Sequence, residues 1–376
     1  MKKLLIASAV SAALAAPATV LAQARTPTLG QVLDASGISM NGYIDAGYSY
    51  ANRDLTRFSD RVFDSQNNSF ELHQFGLTVA KQPKEGFGGL VNITAGSDAQ
   101  VIHSFPEGTG AGTSMFDLTQ AYGQYSTGAL TLMAGKFTTL AGTEVIASTG
   151  NTTISRSILF GAIPFTHTGV RASYAPSDTV TLYGGLNNGW DQMTDGNRGK
   201  TLEAGATLNP IKPLTISVSG YFGTESATPP GTQTGVGPQG ARNAINVVGN
   251  YIISNSMSAG AEVLYVSQDD TPAGSAKYNG AAGYFTYMFA PKWRIVGRLE
   301  MFDDKNNFHF NSPSVAAGTD VKYNEVTATV SYLPNSSVEL RGEIRGDRAN
   351  NGVFIDSDGS TAKTVQTLGV QGIYKF

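Results

Sequence analysis

Apolar and polar side chains alternate with a period of two residues, and this alternation recurs from Met40 to the end of the chain. In one of the clearest segments, Val338 and Leu340 alternate with Glu339 and Arg341. Successive side chains of a β-strand point to opposite faces, so each such segment predicts a strand with one apolar and one polar face. The pattern therefore predicts an all-β protein.

The connections between the predicted strands alternate in length. Short connections carry turn residues, whereas the long ones are polar and rich in glycine. Seven short turns and eight long loops predict about 16 strands. The short turns are 82–86, 127–128, 176–178, 209–210, 254–256, 290–292 and 334–336, and the long loops include 52–68, 98–114, 223–241 and 347–363.

Two of the predicted strands alternate less regularly than the others. Within 69–81, Phe70 and Leu72 are out of phase with Phe75 and Leu77, which predicts a bulge or a misplaced boundary. The segment 277–288 is the second weak strand.

The N-terminus predicts export. Residues 1–22 combine Lys2 and Lys3, an apolar stretch and small residues before a cleavage site after Ala22, which is typical of a secretory signal peptide. A second candidate cleavage site follows Ala24. Residues 23–37 would then form a periplasmic N-terminal segment, in which Thr28 could cap a helical turn.

Alternation alone fits a soluble all-β protein equally well. No later stretch is apolar over the roughly 18 positions that a membrane helix needs. The signal, the turn asymmetry and the even strand count favour a transmembrane antiparallel β-barrel over 38–376, with short periplasmic turns and long extracellular loops. The last strand ends with Tyr374 and Phe376, which resemble the C-terminal signal that the outer-membrane assembly machinery reads.

Several motifs carry a family resemblance: "GYIDAGYSY" at 42–50, "RVFDSQNNSF" at 61–70, "DLTQAYGQY" at 117–125 and "IPFTHTGVRASY" at 163–174. Together with "TLGQVLDASGI" at 28–38, they resemble the OmpL-like β-barrel porins of Gram-negative outer membranes. The resemblance implies a porin-like role and brings no catalytic residues. We expect passive diffusion of small hydrophilic solutes and ions. The alternative is a non-conducting barrel that acts through its loops as an adhesin or structural protein.

The longest predicted loop, about 138–167, differs from the others in its apolar content. If it folds into the barrel, its apolar side chains would pack against the wall while Glu144 and Arg156 face water and form a pore constriction. The loop could instead pack over the rim or against a neighbouring subunit, or form a further hairpin.

A set of charged residues falls on the predicted inward faces, because charges are costly on a lipid-facing surface. With both signs present, this lumen charge ladder predicts a transverse field rather than strong ion selectivity. The alternative is that its members pair with one another and fill the lumen. The lumen charge ladder comprises Arg171, Arg294, Arg298, Glu300, Glu339, Arg341, Glu343 and Arg345, with Glu262 beside it.

Other chemistry is poorly supported by the residues present. The four histidines (His73, His103, His167 and His309) lack metal-ligand spacing, so neither a metal site nor catalysis is predicted. No cofactor is predicted, and a net charge of −3 does not suggest nucleic acid. The expected partners are outer-membrane lipid and lipopolysaccharide, the barrel-assembly machinery and small hydrophilic solutes, with a homotrimer as a further possibility.

Overall fold

The computed structural model describes residues 27–376, except 56, 57, 59, 65, 110, 111, 227–238, 272, 273 and 317. The predicted signal peptide, residues 1–22, lies outside the described residues. Within the described part of the chain, 16 strands form one closed antiparallel barrel, as the sequence predicts. Each strand pairs with the next along the chain, and the last strand closes the barrel against the first.

The barrel strands are longest in the second half of the chain. They are β1 Ser39–Ala51, β2 Ser69–Lys81, β3 Gly86–Ala95, β4 Phe116–Thr127, β5 Leu130–Thr138, β6 Thr166–Ser177, β7 Val180–Asn187, β8 Thr201–Ile211, β9 Leu214–Ser226, β10 Gln239–Ser254, β11 Met257–Thr271, β12 Gly274–Ala290, β13 Trp293–Asp304, β14 Val321–Asn335, β15 Val338–Ala349 and β18 Thr364–Lys375. The strands β16 Phe354–Ile355 and β17 Thr361–Ala362 form a small hairpin in the loop after β15.

The helices are short. They are α1 Leu29–Ser36, α2 Ala99–Ile102 and α3 Ile158–Gly161, with 3-10 turns at Ser148–Gly150 and Lys305–Asn307. Among the residues that the structure describes, no helix is long and apolar enough to cross a membrane. In α1, the Thr28 hydroxyl accepts from Gln31 N at 3.3 Å, and the Gln31 side chain accepts from Thr28 N at 2.9 Å. This reciprocal capping starts the helix at the predicted position.

The irregular pairing of β2 confirms the predicted bulge. Asp45 of β1 pairs with Gln74, but its neighbour Ala46 pairs with Leu72, so His73 is the extra residue. This one-residue insertion explains why the apolar phase changes within β2. The second weak segment, 277–288, lies within the regular strand β12.

Two connections differ from the prediction. The turn after β8 lies at 212–213 instead of 209–210, because the strand stays paired as far as Ile211. The pairing is irregular between Leu208 and Ile211, and this irregularity accommodates Pro210, which has no N–H to donate. The connection after β11 was counted among the long loops, but Thr271 already pairs with Gly274.

The outer face of the barrel carries a belt of exposed apolar side chains, which alternate with buried polar ones on the inner face. Such a belt suits lipid, whose hydrocarbon offers no hydrogen-bond partners. The belt includes Ile44, Val91, Leu132, Val170, Leu182, Leu202, Val263, Leu299, Val326, Ile344 and Leu368.

Candidate functional site

Residues 139–165, between β5 and β6, run through the interior of the barrel and are named here the crossing segment. They contact strands on opposite sides of the wall: Gln74 of β2 accepts from Ser148 N at 3.1 Å, and Tyr221 of β9 accepts from Leu140 N at 2.8 Å. Both of these wall side chains are fully buried on the inner face of the closed barrel, so the segment that contacts them lies inside it. The loop thus begins one residue later and ends two residues earlier than predicted.

Three inward carboxylates of the wall accept main-chain N–H groups of the crossing segment. Glu343 of β15 accepts from Ile154 N at 2.6 Å and Ser155 N at 3.0 Å. Glu300 of β13 likewise accepts from 158 N and 159 N, at 2.7 and 2.6 Å. Glu262 of β11 accepts from Thr143 N at 2.8 Å. The segment has little regular structure, so its buried amides need such partners.

Three inward arginines bind main-chain carbonyls of the same segment. Arg341 of β15 donates to the carbonyls of residues 151 and 153 at 2.6 and 2.8 Å, and to that of residue 148 at 3.3 Å. Arg345 donates to Arg156 O at 2.6 Å, and Arg298 donates to Ser155 O at 2.9 Å. Hydrogen bonds to ionised groups are stronger than neutral ones, so the wall holds this backbone firmly.

Glu144 and Arg156 do not face water, contrary to the expectation from sequence. Glu144 is 6% exposed, pairs with Arg298 at 2.7 Å and accepts from Ser157 N at 2.6 Å. Arg156 is 3% exposed, because its guanidinium donates to carbonyls of the segment itself at residues 145, 146 and 154. The irregular backbone takes up both charges as hydrogen-bond partners, and Val145 and Gly150 are the exposed residues of the crossing segment instead.

The remaining members of the lumen charge ladder are paired within the wall. Arg171 binds Glu203 of β8 at 2.5 Å and 2.7 Å and also donates to Thr138 O. Arg294 pairs with Glu339, which also accepts from Arg341 at 2.7 Å. Pairing of the ladder residues with one another was the alternative interpretation of the sequence. In the structure, several of these residues also bind the crossing segment.

Some wall residues that hold this network were missed in the sequence. Glu325 of β14 binds Arg298 at 3.0 Å, and Asp347 of β15 binds Arg345 at 2.7 Å. Asn246 of β10 accepts from Gly142 N at 2.9 Å. In β14, Val326 is exposed on the outer face, so the alternation of the strand places the neighbouring Glu325 on the inner face. Glu325 could therefore have been identified from the sequence as an inward charge.

An apolar cluster lies inside the barrel at the end that carries the long loops, and we name it the apolar plug. Inward wall residues contribute Tyr221, Leu264, Tyr278, Phe302, Tyr323 and Val365. The crossing segment contributes Ile158, Leu159 and Ile163, and other loops contribute Leu55, Phe58, Trp190, Phe308 and Phe354. A second cluster joins Phe63, Ile102, Ile146, Phe160 and Phe165. A packed core of this kind excludes water.

Asp60, in the loop between β1 and β2, is a buried acid beside the wall. Neither of its carboxylate oxygens has a hydrogen-bond partner among the described residues. The pKa of Asp60 is raised to about 7, chiefly by burial and also by the neighbouring Asp347, while Arg345 and Arg61 oppose the shift. Tyr323 of β14 also faces this carboxylate.

On strands β5 to β9, the inner face nearer the short turns is lined by neutral polar side chains. Half-buried hydroxyl groups lie there on neighbouring strands from β5 to β9: Thr131, Ser173, Tyr183, Thr207 and Ser217. Among the described residues, no group of three or more His, Asp or Glu side chains could hold a metal ion.

The C-terminal residues complete the ladder between the last and first strands. Phe376 exchanges two main-chain hydrogen bonds with Gly42 of β1, both at 2.9 Å. Its ring lies 6.1 Å from that of Tyr374 and 6.4 Å from that of Phe75, on the outer face.

A closed 16-strand barrel with an outward apolar belt, polar inner face and interior-crossing segment defines a porin-type outer-membrane protein. The family profile described as "Putative beta-barrel porin-2, OmpL-like" matches residues 37–376. The chain therefore belongs to this family of outer-membrane porins, as the motifs indicated. Its fold and family are those of a channel rather than an enzyme.

Solved structures show the same fold at low sequence identity. An anion-selective porin from Comamonas acidovorans is similar with a TM-score of 0.63 and 11% identity, over 90% of this chain and 99% of that one. The outer membrane channel DcaP of Acinetobacter baumannii gives 0.60 and 14%, over 90% and 97%. A trimer form of OmpT from Vibrio cholerae gives 0.60 and 13%, over 90% and 99%. A search of curated proteins by sequence found no match.

Proposed function

We propose that this porin allows passive diffusion of small hydrophilic solutes and ions across the outer membrane. The observation that carries the proposal is the crossing segment, which divides the barrel interior and leaves Val145 and Gly150 exposed. A segment at this depth restricts a passage to small solutes. The neutral hydroxyl lining on the periplasmic side can replace part of the hydration shell of an uncharged polar solute.

The charged groups would act on ions through their net field. In the crossing region, Glu144 and Arg298 form a buried pair, and Arg156 is enclosed by carbonyl groups. Paired charges leave a small residual field, which supports weak rather than strong ion preference. Glu144 and Arg156 thereby contribute to the field at the constriction, although both side chains are buried beneath its water-accessible surface.

A non-conducting barrel is the second candidate, and the apolar plug favours it. The plug packs loop residues against the inner wall at the extracellular end, and a non-conducting barrel would act through these loops. The two candidates differ in one measurable property, the conductance of the purified protein.

The experiment is a planar-bilayer recording with the purified protein and, separately, a variant that lacks residues 150–157. We expect discrete current steps from the wild type and larger steps from the deletion variant, because the deletion removes part of the crossing segment. A detergent preparation without protein is the blank. The absence of steps from both folded proteins would favour the non-conducting barrel.

We also propose that the protein works as a homotrimer in a bilayer of phospholipid and lipopolysaccharide, inserted by the barrel-assembly machinery. The trimer form of OmpT, which shares this fold, supports the assembly state. Chemical cross-linking in intact outer membranes tests it: a trimer band is expected, and monomer alone would contradict the proposal.

A further inference from the structure

We infer that Lys322 of β14 and Arg348 of β15 bind phosphate groups of lipopolysaccharide on the outer surface of the barrel, at its extracellular end. These two residues are named here the rim cations. The inference rests on the proposed bilayer of phospholipid and lipopolysaccharide and names a site for the second lipid. It does not depend on whether the barrel conducts.

The strand register places both rim cations on the outer face. Lys322 lies on the same face of β14 as the exposed Val326. Arg348 likewise lies on the same face of β15 as the exposed Ile344. Arg348 pairs with Asn324, the second residue after Lys322, so the rim cations are diagonal neighbours about 7–8 Å apart. Two side chains of this length can close on one phosphate group.

The rim cations differ from other basic residues at this end of the barrel in their partners. Both are exposed, and no salt bridge joins either of them to a carboxylate in the described part of the chain. By contrast, Arg53 is bound to Asp356. Lys200 is likewise bound to Asp195. The charge of the rim cations is therefore available to a ligand.

Two carboxylates lie close to Lys322 in the chain or across the strands, and Lys305 binds both. Asp303 pairs with Lys322 across the strands, and Asp320 lies two residues before it. The Lys305 ammonium lies 3.2 Å from Asp303 Oδ2 and 2.8 Å from Asp320 Oδ2. With Arg348, three cations stand against two carboxylates, so an excess of positive charge attracts anions to this rim.

The outer surface becomes apolar directly below the rim cations. Arg348 and Asn324 form a polar row across β15 and β14. Over the next two rows, Val326, Ile344 and Leu368 are 57%, 55% and 54% exposed. This change places the rim cations at the boundary between the hydrocarbon and the headgroups of the outer leaflet.

A ligand that suits this surface combines an anion with acyl chains. Phosphate accepts paired hydrogen bonds from a guanidinium group and attracts an ammonium group. Acyl chains cover the apolar rows below the cations. Lipopolysaccharide carries its phosphate groups directly above its acyl chains, whereas the phosphate of a zwitterionic phospholipid is already paired with its own cation.

Titration of the lipid-depleted, detergent-purified protein with rough lipopolysaccharide, followed by native mass spectrometry, tests the site. Each basic residue at an anionic surface strengthens binding about fivefold, so Lys322→Gln/Arg348→Gln should raise the Kd about 25-fold. Lys322→Arg/Arg348→Lys keeps both charges and should stay within about threefold of the wild type. A loss as large as that of the glutamine variant would contradict a charge-based site. Heat-modifiable migration in gels checks that each variant is folded.

Arg198→Gln/Lys200→Gln is the matched control. It removes two exposed cations from the loop between β7 and β8, which lies on the opposite side of the barrel at the same end. Its Kd should change by no more than about twofold, because salt screens charges at that distance. An equal loss in the control and in Lys322→Gln/Arg348→Gln would assign binding to overall charge and overturn the site.

The ligand is varied in the same titration. Lipopolysaccharide from which phosphatase has removed the phosphate groups, and micelles of phosphatidylglycerol, should each bind about tenfold more weakly. Equal binding of the dephosphorylated form would overturn the role of phosphate, and equal binding of phosphatidylglycerol would overturn lipopolysaccharide as the ligand. An unchanged Kd in Lys322→Gln/Arg348→Gln would overturn the site alone, whereas no binding by the wild type would overturn the proposed association as well.

Discussion

Arg341→Met removes the wall arginine that binds the most carbonyls of the crossing segment. Two of its three bonds are short, at 2.6 and 2.8 Å, and each hydrogen bond to an ionised group contributes about 1.5–3 kcal/mol. Glu339 keeps Arg294 and Lys375 as partners, so the substitution leaves no orphaned carboxylate. Water can replace part of the lost bonding, which leaves a net cost of about 3 kcal/mol for holding the segment in place.

Hydrogen exchange measured by mass spectrometry detects this loss. A cost of about 3 kcal/mol corresponds to roughly a hundredfold faster exchange in the peptides that cover 148–159, since every 1.4 kcal/mol is tenfold. The amide of Ile154, which is bound to Glu343, is among the reporters.

Arg171→Met is the matched control, because Arg171 is also an inward, ion-paired arginine, but its main-chain acceptor is the carbonyl of Thr138, outside the crossing segment. Its effect on the same peptides should stay below about tenfold. Exchange in Arg341→Met within twofold of the wild type would refute the claim that wall arginines hold the segment.

Three further outcomes are expected. Glu144→Gln should shift the reversal potential under a salt gradient towards anions, whereas Asp356→Asn in an extracellular loop should do little, because salt screens charges there within about 10 Å; equal shifts would contradict the location of the constriction. Because burial raises the pKa of Asp60 to about 7, packing of its loop is most stable below pH 4 and weakens as pH rises through 7. Hydrogen exchange around Asp60, corrected for the intrinsic effect of pH, should thus show less protection at pH 8 than at pH 5, and Asp60→Asn should abolish the difference; a difference retained in that variant would exclude Asp60 as its origin. Deleting Phe376 removes two main-chain bonds to Gly42 and should lower the amount assembled without changing single-channel conductance, as quantified by heat-modifiable protein in outer membranes; normal assembly would argue against the terminal signal.

The barrel was predictable because its physical cause is periodic. A strand such as β15 has one face in lipid and one face inside the barrel. Apolar residues such as Leu340 and polar residues such as Arg341 must therefore alternate, and the sequence shows this alternation directly. The bulge at His73 was visible for the same reason, as a break in phase. The tight hairpin after Thr271 was not visible, because the loop lengths were inferred from composition rather than from pairing.

The interior of the barrel was much less predictable. The sequence indicated which residues point inward, but not that Glu300 and Glu343 bind main-chain amides far along the chain. Such contacts have no period, because the crossing segment is irregular and its N–H groups donate to whichever acceptor lies near. For the same reason Glu144 and Arg156 were expected in water, although the carbonyls and Ser157 N that enclose them come from their own segment.

The central claim is that the crossing segment sets the size of the passage through this porin. Single-channel recording in planar bilayers of the wild type and of the variant that lacks residues 150–157 measures this. The account predicts larger current steps from the deletion variant than from the wild type. Steps of equal size from both folded proteins would contradict it.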